Sequence, residues 1–222
     1  MTPQGRTGPG AARRAMDVAV AGTALVLLSP LLLVLCLAVR LTSPGPALFR
    51  QVRLGQHAQP FLLYKLRSMR VVTGGCELTA AGDPRVTAVG ALCRSTSLDE
   101  LPQLWNVLRG DMTLVGPRPE TPALAAGYPP ACRWVLQHRP GLTGPAQVRF
   151  RDRTALQDCG SDLEGYYLGV VVPQKVAWDA DFLAGPTVRR TLAVIWETAR
   201  HLAGLPVGRL AAAPTGAAAE RP

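Results

Sequence analysis

Lysine is almost missing from this chain. Lys65 and Lys175 are the only two in 222 residues, yet the formal net charge is +9. The positive balance is therefore nearly all arginine, a bias that, with abundant Ala, Gly and Pro, a GC-rich genome also writes. A charge of this size still tolerates or needs an anionic partner: nucleic acid, a lipid surface or phosphorylated substrates. Long hydrophobic runs are equally scarce. Only one stretch could enter a bilayer, which excludes a polytopic membrane protein. No C-x-x-C pair occurs among Cys36, Cys76, Cys93, Cys132 and Cys159, so neither a disulfide framework nor a structural zinc site fits. Scattered thiols of this kind mark a reduced compartment. His57, His138 and His201 belong to no metal or triad signature and read as surface or packing residues. What is present is a 48% hydrophobic composition, too apolar for general disorder, and a length that suits one domain with an appendage.

Residues 1–12 and 206–222 read as flexible tails, being rich in Gly, Ala and Pro. From Val18 to Val39 there is no charge, and as a helix this run would reach roughly 33 Å, about one bilayer core. A spanning helix is the first expectation, but two features oppose it. Pro30, after Ser29, removes a backbone hydrogen bond near the middle. Both flanks are basic, Arg13 and Arg14 before the run and Arg40, Arg50 and Arg53 after it, whereas a spanning helix has one preferred basic flank. A segment over residues 13–40 that dips into one leaflet and turns at Ser29-Pro30 satisfies both, with Ser29 bonding a carbonyl freed at the bend. The run is too long for the core of a signal peptide.

Beyond the turn at TSPGP (42–46), FLLYKLR (61–67) reads as a strand. Leu62, Tyr64 and Leu66 lie on one face, and Lys65 with Arg67 on the other, either solvated or functional. The region from Asp83 to Glu120 is the densest in chemistry. Val86, Val89 and Cys93 recur at helical spacing, which places Arg94 near a helix C-terminus. A second helix is expected from Ser97 to about Leu108, with Leu101, Leu104, Trp105 and Leu108 on its apolar face. Ser97-x-x-Glu100 matches a capping box, and Asp99-Glu100 in a first turn is ordinary helix chemistry. The company of Lys65, Arg67, Arg85, Arg94, Arg109 and Arg118, with the Gly/Pro loop LVGPRPE behind them, points instead to phosphate chemistry. A carboxylate so placed is expected to be ionised, as a nucleophile or Mg²⁺ ligand must be. The arginines surround an acidic pair in Gly/Pro motifs, and no nucleic-acid-binding motif accompanies them, so nucleic acid is not expected as a partner. A helix over about 188–202 carries the stripe Leu192, Ile195, Trp196 and Ala199, which either packs on the core or lies on a membrane interface.

These motifs closely resemble the bacterial sugar transferases, in the small monotopic form of the polyprenyl-phosphate phosphoglycosyl transferases. The likeness runs through RRAMD, LLSP, SPGPALFRQVRLG, LYKLRSM, DPRVTAVG, RSTSLDELPQLWNVLRGDMTLVGPRPE and RPGLTGPAQV, over residues 13–200. The resemblance implies an α+β, mostly helical fold. An N-terminal re-entrant membrane helix (13–40) would precede a compact cytosolic catalytic domain (41–205) with amphipathic interfacial helices. It implies a protein of the bacterial inner membrane that faces the cytoplasm. It also implies transfer of a sugar 1-phosphate from a UDP-sugar to undecaprenyl phosphate with release of UMP, the first membrane step of exopolysaccharide, capsule or glycoconjugate synthesis. Asp99 would attack the β-phosphate and carry an aspartyl phosphosugar intermediate. Glu100 would position Mg²⁺ or accept a proton, and both carboxylates are the expected Mg²⁺ ligands. Lys65, Arg94 and Arg118 are the first candidates for phosphate binding, and Arg67, Arg85 and Arg109 the second. Gly116, Pro117 and Pro119 would shape the nucleotide loop. Residues 150–162 follow no pattern of the family. The alternative is a non-catalytic, membrane-tethered basic module that binds anionic lipids or phosphorylated ligands.

Overall fold

The computed structural model describes residues 10–70, 83–150 and 163–206. Most of the expected tails (1–12 and 206–222) and nearly all of the unmatched stretch 150–162 lie outside them, although Ala11 and Ala12 already belong to the first helix. Helices predominate, in line with the expected mostly helical α+β class. The chain opens with α1 (Ala11–Thr42) and continues into the strands β1 (Leu48–Leu54) and β2 (Pro60–Leu66). Next come α2 (Ala88–Thr96), a single 3₁₀ turn at Leu98–Glu100, α3 (Gln103–Arg109), β3 (Thr113–Val115), α4 (Pro122–Ala126) and β4 (Gly141–Thr143). Four helices close the fold: α5 (Pro145–Phe150), α6 (Leu163–Tyr166), α7 (Val172–Ala184) and α8 (Val188–Leu202). β1 and β2 form an antiparallel hairpin in which Leu48 faces Leu66 and Arg53 faces Phe61. β3 and β4 pair in parallel, Thr113 with Gly141 and Val115 with Thr143. Glycine is required beside this pair, because a Cβ on Gly141 would sit 2.0 Å from the Gly116 nitrogen.

α1 is the one described helix long and apolar enough to cross a membrane. Its buried residues, Arg13, Asp17, Ala21, Leu35 and Val39, face the rest of the protein. Val26 and Leu27 in the middle are each 72% exposed, with Leu33, Val34 and Leu37 also exposed. So large an apolar surface suits lipid contact rather than water. The helix runs through Pro30 without a break. The amide hydrogen that proline lacks would have bonded the Val26 carbonyl, and the Ser29 hydroxyl donates to that same oxygen at 2.8 Å. The expected role of Ser29 is thus present, within a continuous helix.

The basic N-terminal flank has a different role from the one its sequence position suggests. Arg13 is buried and donates to the Thr191 hydroxyl and the Val115 carbonyl, each at 3.0 Å. Arg14 donates to the carbonyls of Val107 and Leu108 at the end of α3. Asp17 accepts from the Thr113 hydroxyl at 2.6 Å and the Leu114 amide at 3.2 Å. The other half of α1 is held by apolar packing: Leu35 joins Leu66 and Cys93 in a small cluster edged by Cys36, Leu48 and Val89. The main core gathers Ala21 with Leu63, Leu104, Val107, Met112, Phe182 and Val194.

Four local expectations change on contact with the fold. The face of β2 that carries Lys65 and Arg67 is not solvated: Leu63 beside them is 4% exposed, while Leu62 on the opposite face is 38% exposed. Arg67 is buried and ties down the turn after α1 by donating to the carbonyls of Pro44 (2.6 Å) and Ser43 (2.7 Å). The capping box does not form, because Ser97 sits in the left-handed region (φ 58°) as the C-cap of α2 and its side chain caps nothing. Trp105 is 52% exposed, so α3 buries Leu104 and Val107 instead. On α8 the core-packing reading gives way, since the helix buries Thr191, Val194 and Glu197 while Leu192 and Trp196 (63% exposed) point outward. Thr191 faces inward as the partner of Arg13, and Glu197 pairs with Arg200 at 3.4 Å. His138 packs edge-on against Trp134, and His57 meets Gln137 at the surface, as expected of packing and surface histidines. Cys36, Cys93 and Cys132 are free thiols.

Candidate active site

One cavity of about 850 Å³ collects residues from both strands of the hairpin, α1, α2, the 3₁₀ turn, the loop after β3 and the last two helices. Lys65, Arg94, Asp99, Glu100 and Arg118 all line it, although they are spread over 54 positions from Lys65 to Arg118. Three elements achieve this convergence. β2 presents Lys65, the left-handed residue Ser97 turns the chain sharply between α2 and α3 so that Asp99 lies beside Arg94, and the loop after β3 carries Arg118.

Asp99 is 8% exposed. Burial pushes its carboxyl above the ordinary carboxylate range and Glu100 adds to the effect, while Lys65 and Arg94 pull the other way. Burial outweighs the neighbouring cations, so the net shift is upward, against the direction in which the cations alone would move it. Arg118 donates to Glu100 at 3.1 Å and to Gln147 at 3.4 Å. Arg94 reaches the Met69 sulfur at 3.2 Å. The Lys65 ammonium stands 5.1 Å from the Phe49 ring, and burial with Arg53 and Arg118 lowers it to about 8 against the pull of Asp99 and Glu100.

Arg67 and Arg85 do not line the cavity. The first holds the turn after α1, and the second pairs with Asp83 at 2.6 Å. Arg109 pairs with Asp111 at 3.4 Å and is likewise outside the lining. In their place stand residues that the sequence did not single out for the site. Glu120, buried, accepts from Tyr128 at 3.0 Å and from Tyr167, and Arg53 lies 3.5 Å from its other oxygen. Lys175 donates to the Tyr167 hydroxyl at 3.1 Å. Asp179 accepts from the Ala146 amide at 3.0 Å, and burial pushes its carboxyl up to about 7. The available signal was lysine scarcity: Lys175 is one of two lysines and has Asp179 one helical turn ahead.

Among the described residues no group of three or more His, Cys, Asp or Glu side chains could hold a metal. Two adjacent carboxylates, Asp99 and Glu100, are nonetheless the donor set that suits Mg²⁺, which is commonly held by one or two carboxylates together with substrate phosphates. A buried acid facing several arginines, with space beside it, can hold a polyphosphate and transfer one of its phosphoryl groups.

A family model for bacterial sugar transferases matches residues 9–204, and the chain belongs to that family. It is 43% identical over 195 residues to the UDP-glucose:undecaprenyl-phosphate glucose-1-phosphate transferase of Caulobacter vibrioides, covering 86% of this chain and 69% of that protein. An Escherichia coli K12 protein of the same description is 47% identical over 141 residues, 61% of this chain but 30% of the relative, so the chain matches less than a third of that longer protein. The putative undecaprenyl-phosphate N-acetylgalactosaminyl 1-phosphate transferase of Bacillus subtilis is 46% identical over 120 residues, 53% of this chain and 67% of that one.

Proposed function

We propose that this chain is a sugar-1-phosphate transferase that moves the phosphosugar of a UDP-sugar onto undecaprenyl phosphate at a membrane surface, in exopolysaccharide or related glycoconjugate synthesis. The observation that carries the reading is the buried Asp99, placed beside Glu100 and among Lys65, Arg94 and Arg118 in one cavity. The names of the relatives supply the donor and acceptor classes.

In this reading a carboxylate oxygen of Asp99 attacks the β-phosphorus of the donor. The bond from that phosphorus to the bridging oxygen breaks, and UMP leaves with the electron pair. A phosphate oxygen of the lipid then attacks the same phosphorus and releases the Asp99 carboxylate. A covalent carboxyl-phosphate lets a water-soluble donor and a lipid acceptor use one site in turn. Mg²⁺ held between Asp99, Glu100 and the substrate phosphates would offset the repulsion between anions. Lys65, Arg94 and Arg118 bind the phosphate oxygens and stabilise the charge that builds on them. Glu100 holds Arg118 in place through their 3.1 Å contact.

The re-entrant anchor draws support from packing. Arg13, Asp17 and Ala21 near one end of α1 and Leu35 and Val39 near the other are buried against the same body. A helix fastened to one body at both ends keeps both ends on one side of the bilayer, here the cytoplasmic side, where UDP-sugars are found.

Incubation with Mg²⁺, undecaprenyl phosphate in detergent and a panel of radiolabelled UDP-sugars should release UMP and label the lipid, and the panel identifies the sugar. Both products should vanish in Asp99→Asn; full turnover by that variant would overturn the nucleophile assignment. Cysteines placed before Arg13 and after Arg40 should react with an impermeant reagent from the same side of sealed vesicles, and opposite sides would sink the re-entrant anchor.

A further inference from the structure

The cavity that holds Asp99 is not polar throughout. Its apolar arm is the lining contributed by Val20, Ala24 and Leu28 of α1, spaced four residues apart and so on one helix face, and by Ile195, Ala199 and Leu202 of α8, where Thr198 and His201 also line the cavity. Leu142 and Leu104 line it as well. The charged groups line the same cavity, so one cavity offers both a phosphate-binding centre and an apolar slot between two helices.

These two helices are also the ones whose outer faces are apolar: Val26, Leu27 and Leu33 on α1, Leu192 and Trp196 on α8. They are fastened to each other by the Arg13–Thr191 hydrogen bond. Alanine contributes to both walls, as Ala24 and Ala199, and small side chains leave width for a branched chain. From Val20 to Leu28 the slot extends about 12 Å along α1, enough for a few isoprene units. An aqueous nucleotide sugar has no group that would gain from such a surface. A phosphate ester of an isoprenoid does, because its head and its first carbons require these two environments side by side.

We infer that this arm is the binding groove for the first isoprene units of the lipid acceptor, with Ala24 and Ala199 setting its width. The inference rests on the transferase reading given above. Burial of each unit in the groove contributes apolar transfer energy, and units beyond its end remain in the bilayer.

The test uses the full-length protein and polyprenyl phosphates of one to eleven isoprene units. In the unaltered protein KM should fall with each of the first few units and then level off. In Ala24→Phe and Ala199→Phe, which fill the slot, that dependence should flatten and KM for undecaprenyl phosphate should rise at least tenfold. Exchange of labelled UMP into UDP-sugar, measured without lipid, reports the donor half-reaction and the integrity of the fold, and it should proceed in both variants. If a phenylalanine variant fails in exchange, Leu28→Ala, which widens the slot, takes over the comparison and should shift the levelling point. Unchanged chain-length dependence in exchange-competent variants would overturn the groove and leave the transferase reading intact. Absence of exchange and of lipid labelling in the unaltered protein would instead overturn the transferase reading, and the groove with it.

Discussion

The chain's two lysines line the same cavity and are held in opposite ways. Lys65, on β2, lies over the Phe49 ring and has no hydrogen-bonding partner among the described residues, while Arg53 and Arg118 add like charge. Lys175, on α7, donates to Tyr167, whose hydroxyl donates to Glu120, and it lies one helical turn from Asp179. Taking an ammonium from water is unfavourable unless something replaces the lost hydrogen bonds. At Lys175 the protein replaces them, so that lysine belongs to the frame. At Lys65 it does not, and in the proposed function a phosphate oxygen of the substrate would be the acceptor.

The sharpest way to break this contrast is to remove each ammonium. Lys65→Met should lower kcat/KM about 100-fold, the size of losing one preorganised donor to transition-state charge, with no fall in melting temperature. A loss of stability without loss of rate would reverse the assignment.

The next test is pH. With the Lys65 ammonium held to about 8, kcat/KM should fall about tenfold per unit above pH 8, and Lys65→Met should lack that limb. Stability moves in the other direction. Because the folded state lowers this base from 10.5, the folded protein carries the full penalty below about pH 8, and the penalty fades as pH rises from 8 to 10.5. Melting temperature relative to Lys65→Met should therefore increase across that window.

On the Lys175 side the effect should appear in stability. Tyr167→Phe leaves Glu120 short of one donor and Lys175 without its acceptor, at about 1–3 kcal/mol measured by denaturant titration. Its turnover should fall less than that of Lys65→Met. The smallest effect is expected at Asp179, whose carboxyl is raised from 3.8 to about 7. Its ionised form is disfavoured in the fold, so the penalty is absent below pH 3.8, grows to pH 7 and is full above it. Asp179→Asn can keep an acceptor for Ala146 and should raise the melting temperature at pH 8 but not at pH 4.

Much of the site is legible in the sequence because one compact motif carries it. Asp99, Glu100 and Arg118 lie within twenty residues, and Lys65 and Arg94 sit in neighbouring motifs with the same charge. The rest depended on which face of each element turned inward. Period-two alternation separates Lys65 and Arg67 from Leu62 and Tyr64, but both faces of β2 at its Leu66 end are covered, so alternation did not reveal that Arg67 is buried. On α8 the exposed Leu192 and Trp196 lie outward, while the inward face mixes Val194 in the core with Thr191, which meets the guanidinium of Arg13. Arg13 and Arg14 are a related case: a flank read as a marker of membrane sidedness is tied to Thr191 and the carbonyls of β3 and α3. Ser97 matched a capping box letter for letter, yet the chain needed a left-handed residue to reverse between two helices.

The fastening of α1 also sets a timetable. Its first polar partner in sequence is Val107, and the Thr191 hydroxyl that receives Arg13 lies 178 residues downstream. At ordinary rates of synthesis those residues take roughly 10 to 35 s to make. The Leu35 end can pack on Leu66 and Cys93, and Arg14 and Asp17 can find residues 107–114, well before that, but Arg13 has to wait for Thr191. The fastening of α1 is thus completed late, and a membrane that receives its exposed middle early would protect the newborn chain from aggregation until α8 arrives to close the clasp.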